Sequence, residues 1–209
     1  MKNGFFISIE GLDGSGKSTQ IEGIKEYFED KSIETLMVRE PGGTDIGEKI
    51  RHIVLDPENT EMDDVAEMLL YAASRAQNVA QNILPALEEG KVVICDRFID
   101  SSIAYQGYGR ELDIEEVLNV NLAAVRHRLP DITFFLDKKP EASLKRRKEA
   151  TTADRLENEK MEFHMRVYNG YMELCKRYPD RLLKLDAEDS IKAINKKIVA
   201  ALDGILERK

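Results

Sequence analysis

Phe5-Phe6-Ile7-Ser8-Ile9-Glu10-Gly11-Leu12-Asp13-Gly14-Ser15-Gly16-Lys17-Ser18-Thr19 is the stretch that decides how this chain folds. Phe5 to Glu10 is an apolar run of strand length, and a helical pattern begins at Lys17. Between them, Gly11 to Ser18 fits the spacing G-x-x-x-x-G-K-[ST]. Glycines let the backbone curl so that successive N–H groups point inward, and the helix after the loop adds its positive end. This assigns Gly11, Leu12, Asp13, Gly14, Ser15, Gly16, Lys17, Ser18 and Thr19 to a bound triphosphate such as ATP. Lys17 reaches the β- and γ-phosphates and Ser18 ligates Mg2+. The plain alternative is a turn that only joins strand to helix.

Outward from this loop, further apolar runs cover Thr35 to Arg39, Val92 to Asp96, Ile132 to Leu136 and Leu182 to Leu185. Near-continuous apolar strands alternating with helical patterns predict an α/β fold, a five-stranded parallel sheet with helices on both faces. The helices are predicted at Lys17 to Phe28, Asp63 to Leu87, Asn158 to Cys175 and Ser190 to Leu206, with another starting over Glu141 to Arg147. On Asp63 to Leu87 the stripe Val65, Leu69, Ala72, Ala76, Val79, Ile83, Leu87 marks the buried face.

With 209 residues and 42% hydrophobic content the chain suits one core, so 1–209 is expected to be a single domain. A net charge of -8 speaks against a nucleic-acid footprint or an acidic membrane surface, both of which need a basic face. Cys95 and Cys175 form no paired motif, which fits a reducing compartment. The opening run is too short for a signal peptide, and no stretch is apolar enough to span a membrane.

Val92 to Asp96 is an apolar strand ending in a carboxylate, the position that holds Mg2+ opposite Ser18. Asp96 could equally cap the segment after it, and the two roles are compatible. No N-K-x-D element reads guanine, since Asn195-Lys196-Lys197-Ile198 lacks the aspartate, and no LSGGQ-type signature is present. Among small phosphate-loop proteins this leaves the kinases of small molecules. Tyr71 and Arg75 share a helical face and could read a base, or be a half-buried tyrosine beside a surface arginine. Asp100 is expected to cap a short helix that brings Ser102, Tyr105 and Gln106 to one side.

Glu10 to Thr19, Arg39-Glu40-Pro41-Gly42-Gly43-Thr44, Ala72-Ala73-Ser74-Arg75, Asp96-Arg97-Phe98-Ile99-Asp100-Ser101-Ser102, Tyr105-Gln106-Gly107 and Asp154-Arg155-Leu156-Glu157 together resemble the bacterial thymidylate kinase family. The match spans essentially the whole chain in the family's order. It implies a P-loop NTPase-type three-layer fold with a small mobile lid at about 145–157. The implied activity is transfer of phosphate from ATP to dTMP with Mg2+, in a cytoplasmic homodimer formed through helices such as Asp63 to Leu87.

The resemblance also implies the acceptor site. Tyr71 stacks on thymine and Arg75 donates to its O4, while Ser102 and Gln106 meet the base and Tyr105 sits against the sugar. Arg39, Arg97 and, more weakly, Arg51 hold the acceptor phosphate, which suits the guanidinium fork. Pro41 and Ser101 belong to the matched strings and are carried over as substrate-lining positions. Asp13 accepts from the 3′-hydroxyl. Three positions depart from related patterns: Tyr71 replaces the usual phenylalanine, Asp13 the glutamate of many bacterial relatives, and Gly14 the arginine of many eukaryotic ones. Without an arginine at Gly14 the lid becomes the source of catalytic charge, so Arg155, Arg146 and Arg147 join Lys17, Arg97 and Asp13 as catalytic candidates. On residue pattern alone, Lys145 to Lys148 could instead be a solvated helix end. Two other readings are a kinase of another nucleoside monophosphate or of a deoxynucleoside, and a nucleotide-binding sensor that transfers nothing.

Overall fold

The computed structural model describes residues 4–148 and 154–206, and for 146–148 the backbone alone. In β1 (Phe5–Glu10) every side chain is buried, because the strand is central in a five-stranded sheet of order β2-β3-β1-β4-β5. β3 (Val92–Asp96) and β4 (Ile132–Asp137) flank it, with β2 (Thr35–Arg39) and β5 (Leu182–Asp186) outside them. Every pairing is parallel. Asp96 lies level with Ile9 on one side and Arg39 on the other, so Glu10, Asp96 and Arg39 leave the sheet at one edge. Ligands bind at that carboxyl edge in open α/β sheets.

Pleating divides the strand residues between two cores. Phe5, Ile7 and Ile9 pack with Ile94, Phe134 and Leu136 beneath α1 (Lys17–Asp30) and α9 (Ile191–Leu206). Phe6, Val93 and Phe135 face the other way, under α3 (Asp64–Asn78), α6 (Ile114–Ala124) and α8 (Met161–Arg177). Each buried Phe or Ile contributes about 1.5–3 kcal/mol relative to exposure. The three layers of the expected fold follow from this division.

Strands begin and end as the apolar runs predict, except that β4 and β5 each run one residue further, to Asp137 and Asp186. The helices differ more. α2 (Asp45–Leu55) and α6 were not anticipated, although each has a side-chain cap: Thr44 Oγ1 accepts from Gly47 N at 2.9 Å, and Asp113 Oδ1 from Glu116 N at 2.9 Å. α8 starts at Met161 instead of Asn158. The long helix starts as expected, with Asp63 accepting from Val65 N and Ala66 N. It does not continue unbroken to Leu87: a π-helical turn, Val79–Ile83, separates α3 from α4 (Leu84–Glu88). Such a turn inserts a residue and rotates the buried face. The predicted stripe holds for Ala72, Val79, Ile83 and Leu87, which are buried, but is corrected before the turn: Val65 and Leu69 are 45% and 50% exposed, and Met68 and Tyr71 are buried in their place.

Asp100 is no cap. It lies inside α5 (Ile99–Ser102), fully buried, with Arg181 donating to both carboxylate oxygens at 2.7 Å. Burial without a paired cation would be costly, and Arg181 supplies that cation from the start of β5. From α5 the chain runs on into a second π-helical segment, Ile103–Gly109.

Candidate active site

The phosphate loop leaves β1 at Glu10 and enters α1 through Gly14 and Gly16, whose φ values of 82° and 102° are conformations that L side chains rarely adopt. Gly16 caps α1 with no side-chain hydrogen bond, which leaves the first turn without a side-chain acceptor. Lys17 is 6% exposed, and its Nζ donates to the Gly11 and Leu12 carbonyls at 3.0 and 3.2 Å and to Asp13 Oδ1 at 3.4 Å. Burial, followed by the charge of Arg97, pulls the ammonium below its ordinary range. A phosphate anion would relieve both effects. From the other side α7 (Pro140–Lys148) rests on the loop, with Ser143 Oγ donating to the Asp13 carbonyl at 2.7 Å.

Arg97 follows β3 with φ 67°, a left-handed conformation that costs a non-glycine residue about 1–2 kcal/mol. Two contacts hold the turn: Arg97 N donates to Ile9 O at 3.0 Å, and Phe98 N to Glu10 Oε1 at 2.7 Å. The guanidinium reaches the phosphate loop, Nη2 donating to Asp13 Oδ1 at 2.9 Å, and lies over the Tyr105 ring. Glu10 was not anticipated as a functional residue. It also accepts from Ser101 Oγ at 2.6 Å and Tyr171 OH at 2.8 Å, so one buried carboxyl organises the Arg97 turn. Burial, with the nearby charge of Asp100, pushes Glu10 up to about 7. Its signal in the sequence was a lone acidic residue closing an otherwise apolar strand.

Arg75 is 1% exposed, and four of the five N–H groups of its guanidinium have partners. Nε donates to Glu40 Oε2 at 2.6 Å, Nη1 to Ser102 Oγ at 2.8 Å and to Asn121 Oδ1, and Nη2 to the Phe98 carbonyl at 2.9 Å. The surface-arginine alternative is thereby excluded. Glu40 and Asn121 are partners that the sequence did not reveal, because they lie far from Arg75 along the chain. Burial raises Glu40 above the usual carboxylate range against the pull of Arg75.

These groups share one cavity, lined by Asp13 and Lys17 from the phosphate loop, Asp96 and Arg97 from β3, and the base-reading candidates Tyr71, Arg75, Ser101, Ser102, Tyr105 and Gln106. Arg39, Pro41 and Arg51 complete its rim, with Arg39 paired to Glu48 at 2.9 Å and Arg51 donating to the Pro41 carbonyl at 2.8 Å. Of the triphosphate candidates, Leu12 lines the cavity while Ser18 and Thr19 are exposed at the start of α1. The Asp96 Oδ1 atom is buried without a hydrogen-bond partner among the described residues. An unpaired buried carboxylate oxygen beside a phosphate loop fits a hard divalent cation that takes oxygen ligands.

Arg155 lies on the flank of α3. It does not line the cavity; its Nε donates to the Val54 carbonyl at 3.0 Å and its Nη2 to Glu67 Oε2. Glu67 is fully buried and draws cations to itself, and Arg155 is one of them. The side chains of Arg146 and Arg147 and the expected lid residues 149–153 lie outside the described residues. The wall on the lid side comes instead from Leu144, Asp154, Leu156, Glu157 and His164. His164, on α8, is 4% exposed, with Nε2 unpartnered among the described residues, and burial lowers its pKa.

Comparison with known proteins agrees with this geometry. The family model described as thymidylate kinase matches residues 9–198. A thymidylate kinase of Exiguobacterium sp. is 47% identical over 99% of this chain and 96% of its own. One from Caldanaerobacter subterraneus is 48% identical over 98% and 97%. Among solved structures, thymidylate kinase from Ehrlichia chaffeensis superposes with a TM-score of 0.78 at 32% identity, over 96% of this chain and 99% of that one. A phosphate loop facing a guanidinium-lined acceptor pocket, on a chain matched over nearly its whole length, places this protein in the thymidylate kinase family.

Proposed function

We propose that this chain transfers the γ-phosphoryl group of ATP to dTMP, giving dTDP and ADP. The observation that carries this reading is the single cavity in which Lys17 and Asp13 of the phosphate loop meet Arg97 and the Tyr71, Arg75, Ser102, Gln106 group. No covalent intermediate and no general base are required, because the acceptor phosphate is already ionised and attacks in line.

Lys17 exchanges its loop carbonyls for the β- and γ-phosphates, and Arg97 grips the acceptor phosphate with Arg39 and Arg51 at the rim. Asp13, which pairs with both Lys17 and Arg97, is placed between donor and acceptor, where it can take the 3′-hydroxyl. Ser18 and Asp96 would hold Mg2+, which when bound neutralises charge on the β- and γ-phosphate oxygens. The transition-state charge left over falls to the lid arginines Arg155, Arg146 and Arg147.

Arg75 and Gln106 read the base, Tyr71 stacks on it, Tyr105 sits against the sugar, and the segment from Asp154 to Glu157 shields the site from water. We treat 1–209 as one kinase domain on a continuous sheet, working in the cytoplasm. The unpaired Cys95 and Cys175 suit that compartment, and among the described residues no helix is long and apolar enough to cross a membrane. Val65 and Leu69, four residues apart and half exposed on α3, support a homodimer through that face. Sedimentation at twice the chain mass would agree with the dimer, and a monomer at micromolar concentration would contradict it.

The function is tested by ATP consumption over a panel of monophosphates: dTMP should be turned over best, dUMP less well and dCMP poorly. Equal rates on CMP or AMP would overturn the assignment.

A further inference from the structure

Glu67 does not line the cavity, yet side chains from three separate parts of the chain converge on it. It lies on α3, one turn before Tyr71, with a fully buried side chain. Gln106 Nε2 donates to its Oε1 at 2.8 Å. Arg110 Nη2 donates to Oε2 at 2.9 Å, and Arg155 Nη2 donates to the same oxygen. Arg110 Nη1 also pairs with Glu159, while Arg155 N and Nε are fixed on the Leu55 and Val54 carbonyls. The carboxylate therefore ties the segment 154–159, which walls the cavity, to the residue that faces the base.

From this arrangement we infer that Glu67 is a positioning residue that sets which edge of the Gln106 amide faces the acceptor base, with Arg155 and Arg110 fixing Glu67 in turn. The inference rests on the acceptor site proposed for dTMP. A carboxylate only accepts hydrogen bonds, so it must face the NH2 of Gln106. Burial would raise Glu67, but the hydrogen bonds and charge of Arg110, with Gln106 and Arg155, hold it below the usual carboxylate range, so it stays ionised at neutral pH. The Gln106 Oε1 atom accepts from none of the described residues, and Gln106 lines the cavity. The site thus presents an acceptor, which selects a pyrimidine that carries a proton on N3. Thymine and uracil carry one; cytosine offers a lone pair there and is repelled.

The two oxygens of Glu67 are not equivalent. Oε2 takes the short bonds from Arg110 Nη2 and Arg155, while Oε1 takes Gln106 and only a 3.3 Å contact from Arg110 Nε, so replacing Glu67 with Gln favours the amide oxygen at the Oε2 position and the NH2 where Gln106 now donates. Gln106 must then turn its oxygen toward residue 67 and its NH2 toward the base. Steady-state kinetics of wild type and Glu67→Gln with dTMP and dCMP test this. The expected result is a KM for dTMP about tenfold higher, the scale of one misdirected hydrogen bond, with kcat little changed and the dTMP-to-dCMP ratio of kcat/KM falling at least as far.

A purely structural role would depress both substrates by the same factor, and that outcome overturns the inference. Side-chain amide NMR of the wild type decides the point without the variant. A Gln106 NH2 signal, assigned by its loss in Gln106→Glu, should contain one proton protected from exchange; a freely exchanging pair overturns the inference. Failure of the wild type to phosphorylate dTMP would count against the acceptor reading, while the NMR result would still report the amide orientation.

Discussion

At the scale of single residues, the site is a set of charges held in place by other buried charges. Arg97 adopts a left-handed backbone so that its guanidinium can span from the sheet edge to Asp13. The role proposed for it is to hold the acceptor phosphate, so Arg97→Ala should lower kcat/KM for dTMP by about 10³ while circular dichroism stays native. Near-wild-type turnover in that variant would contradict the assignment.

Glu10 makes a different prediction. Its folded pKa of about 7 lies above the ordinary 4.5, so the folded protein keeps a proton that the unfolded chain releases. The stability from that proton is complete below the ordinary value and is lost as pH rises to about 7. Relative to Glu10→Gln, the wild type should lose about 3 kcal/mol between pH 4.5 and 7 and nothing more above that. Parallel stability curves from urea titrations at each pH would show that Glu10 ionises normally.

At the scale of elements, α8 lies against the π-helical segment that carries Tyr105 and Gln106, and glycines set their spacing. A Cβ on Gly170 would stand 2.8 Å from the Tyr108 ring, and one on Gly109 2.8 Å from Phe163 and Val167. The backbone of Gly170 is ordinary, so Gly170→Ala gains helix propensity but overpacks the interface. A net loss of about 1–2 kcal/mol is expected by urea unfolding. Unchanged or higher stability would mean the two elements can separate freely.

The legibility of the sequence also divides by element. β1 and β3 were readable because a strand buried on both faces is apolar throughout. α2 was not anticipated although Ile46, Ile50, Ile53 and Val54 fall at helical spacing, a stripe that buries only Val54 fully and leaves Ile46 and Ile53 half exposed. The π turn at Val79–Ile83 breaks a period that helical spacing assumes constant. The buried partners of Arg155 and Arg75 were illegible for a related reason: Glu67 and Glu40 are distant in sequence, and spacing along a helix cannot report such partners. The glycine and lysine pattern of the phosphate loop needs no distant partner and was legible at once.

At the scale of the whole molecule, a chain of net charge -8 collects its cations where anions must bind. Lys17, Arg39, Arg51, Arg75 and Arg97 all face one cavity at the carboxyl edge of the sheet. Local potential decides ligand choice here, whatever the overall sign. The parallel sheet sets the distance between the halves of the site: β1 delivers the donor loop, and its neighbour β3 delivers Asp96 and Arg97.

The central claim is that donor and acceptor phosphates lie in one continuous cavity between the phosphate loop and Arg97. Inhibition by adenosine and thymidine joined through their 5′ positions by a polyphosphate chain tests this most directly. One molecule should compete linearly with both ATP and dTMP, and Arg97→Ala should weaken its binding. Competition with only one of the two substrates would show that the sites do not share a cavity, and would contradict the account.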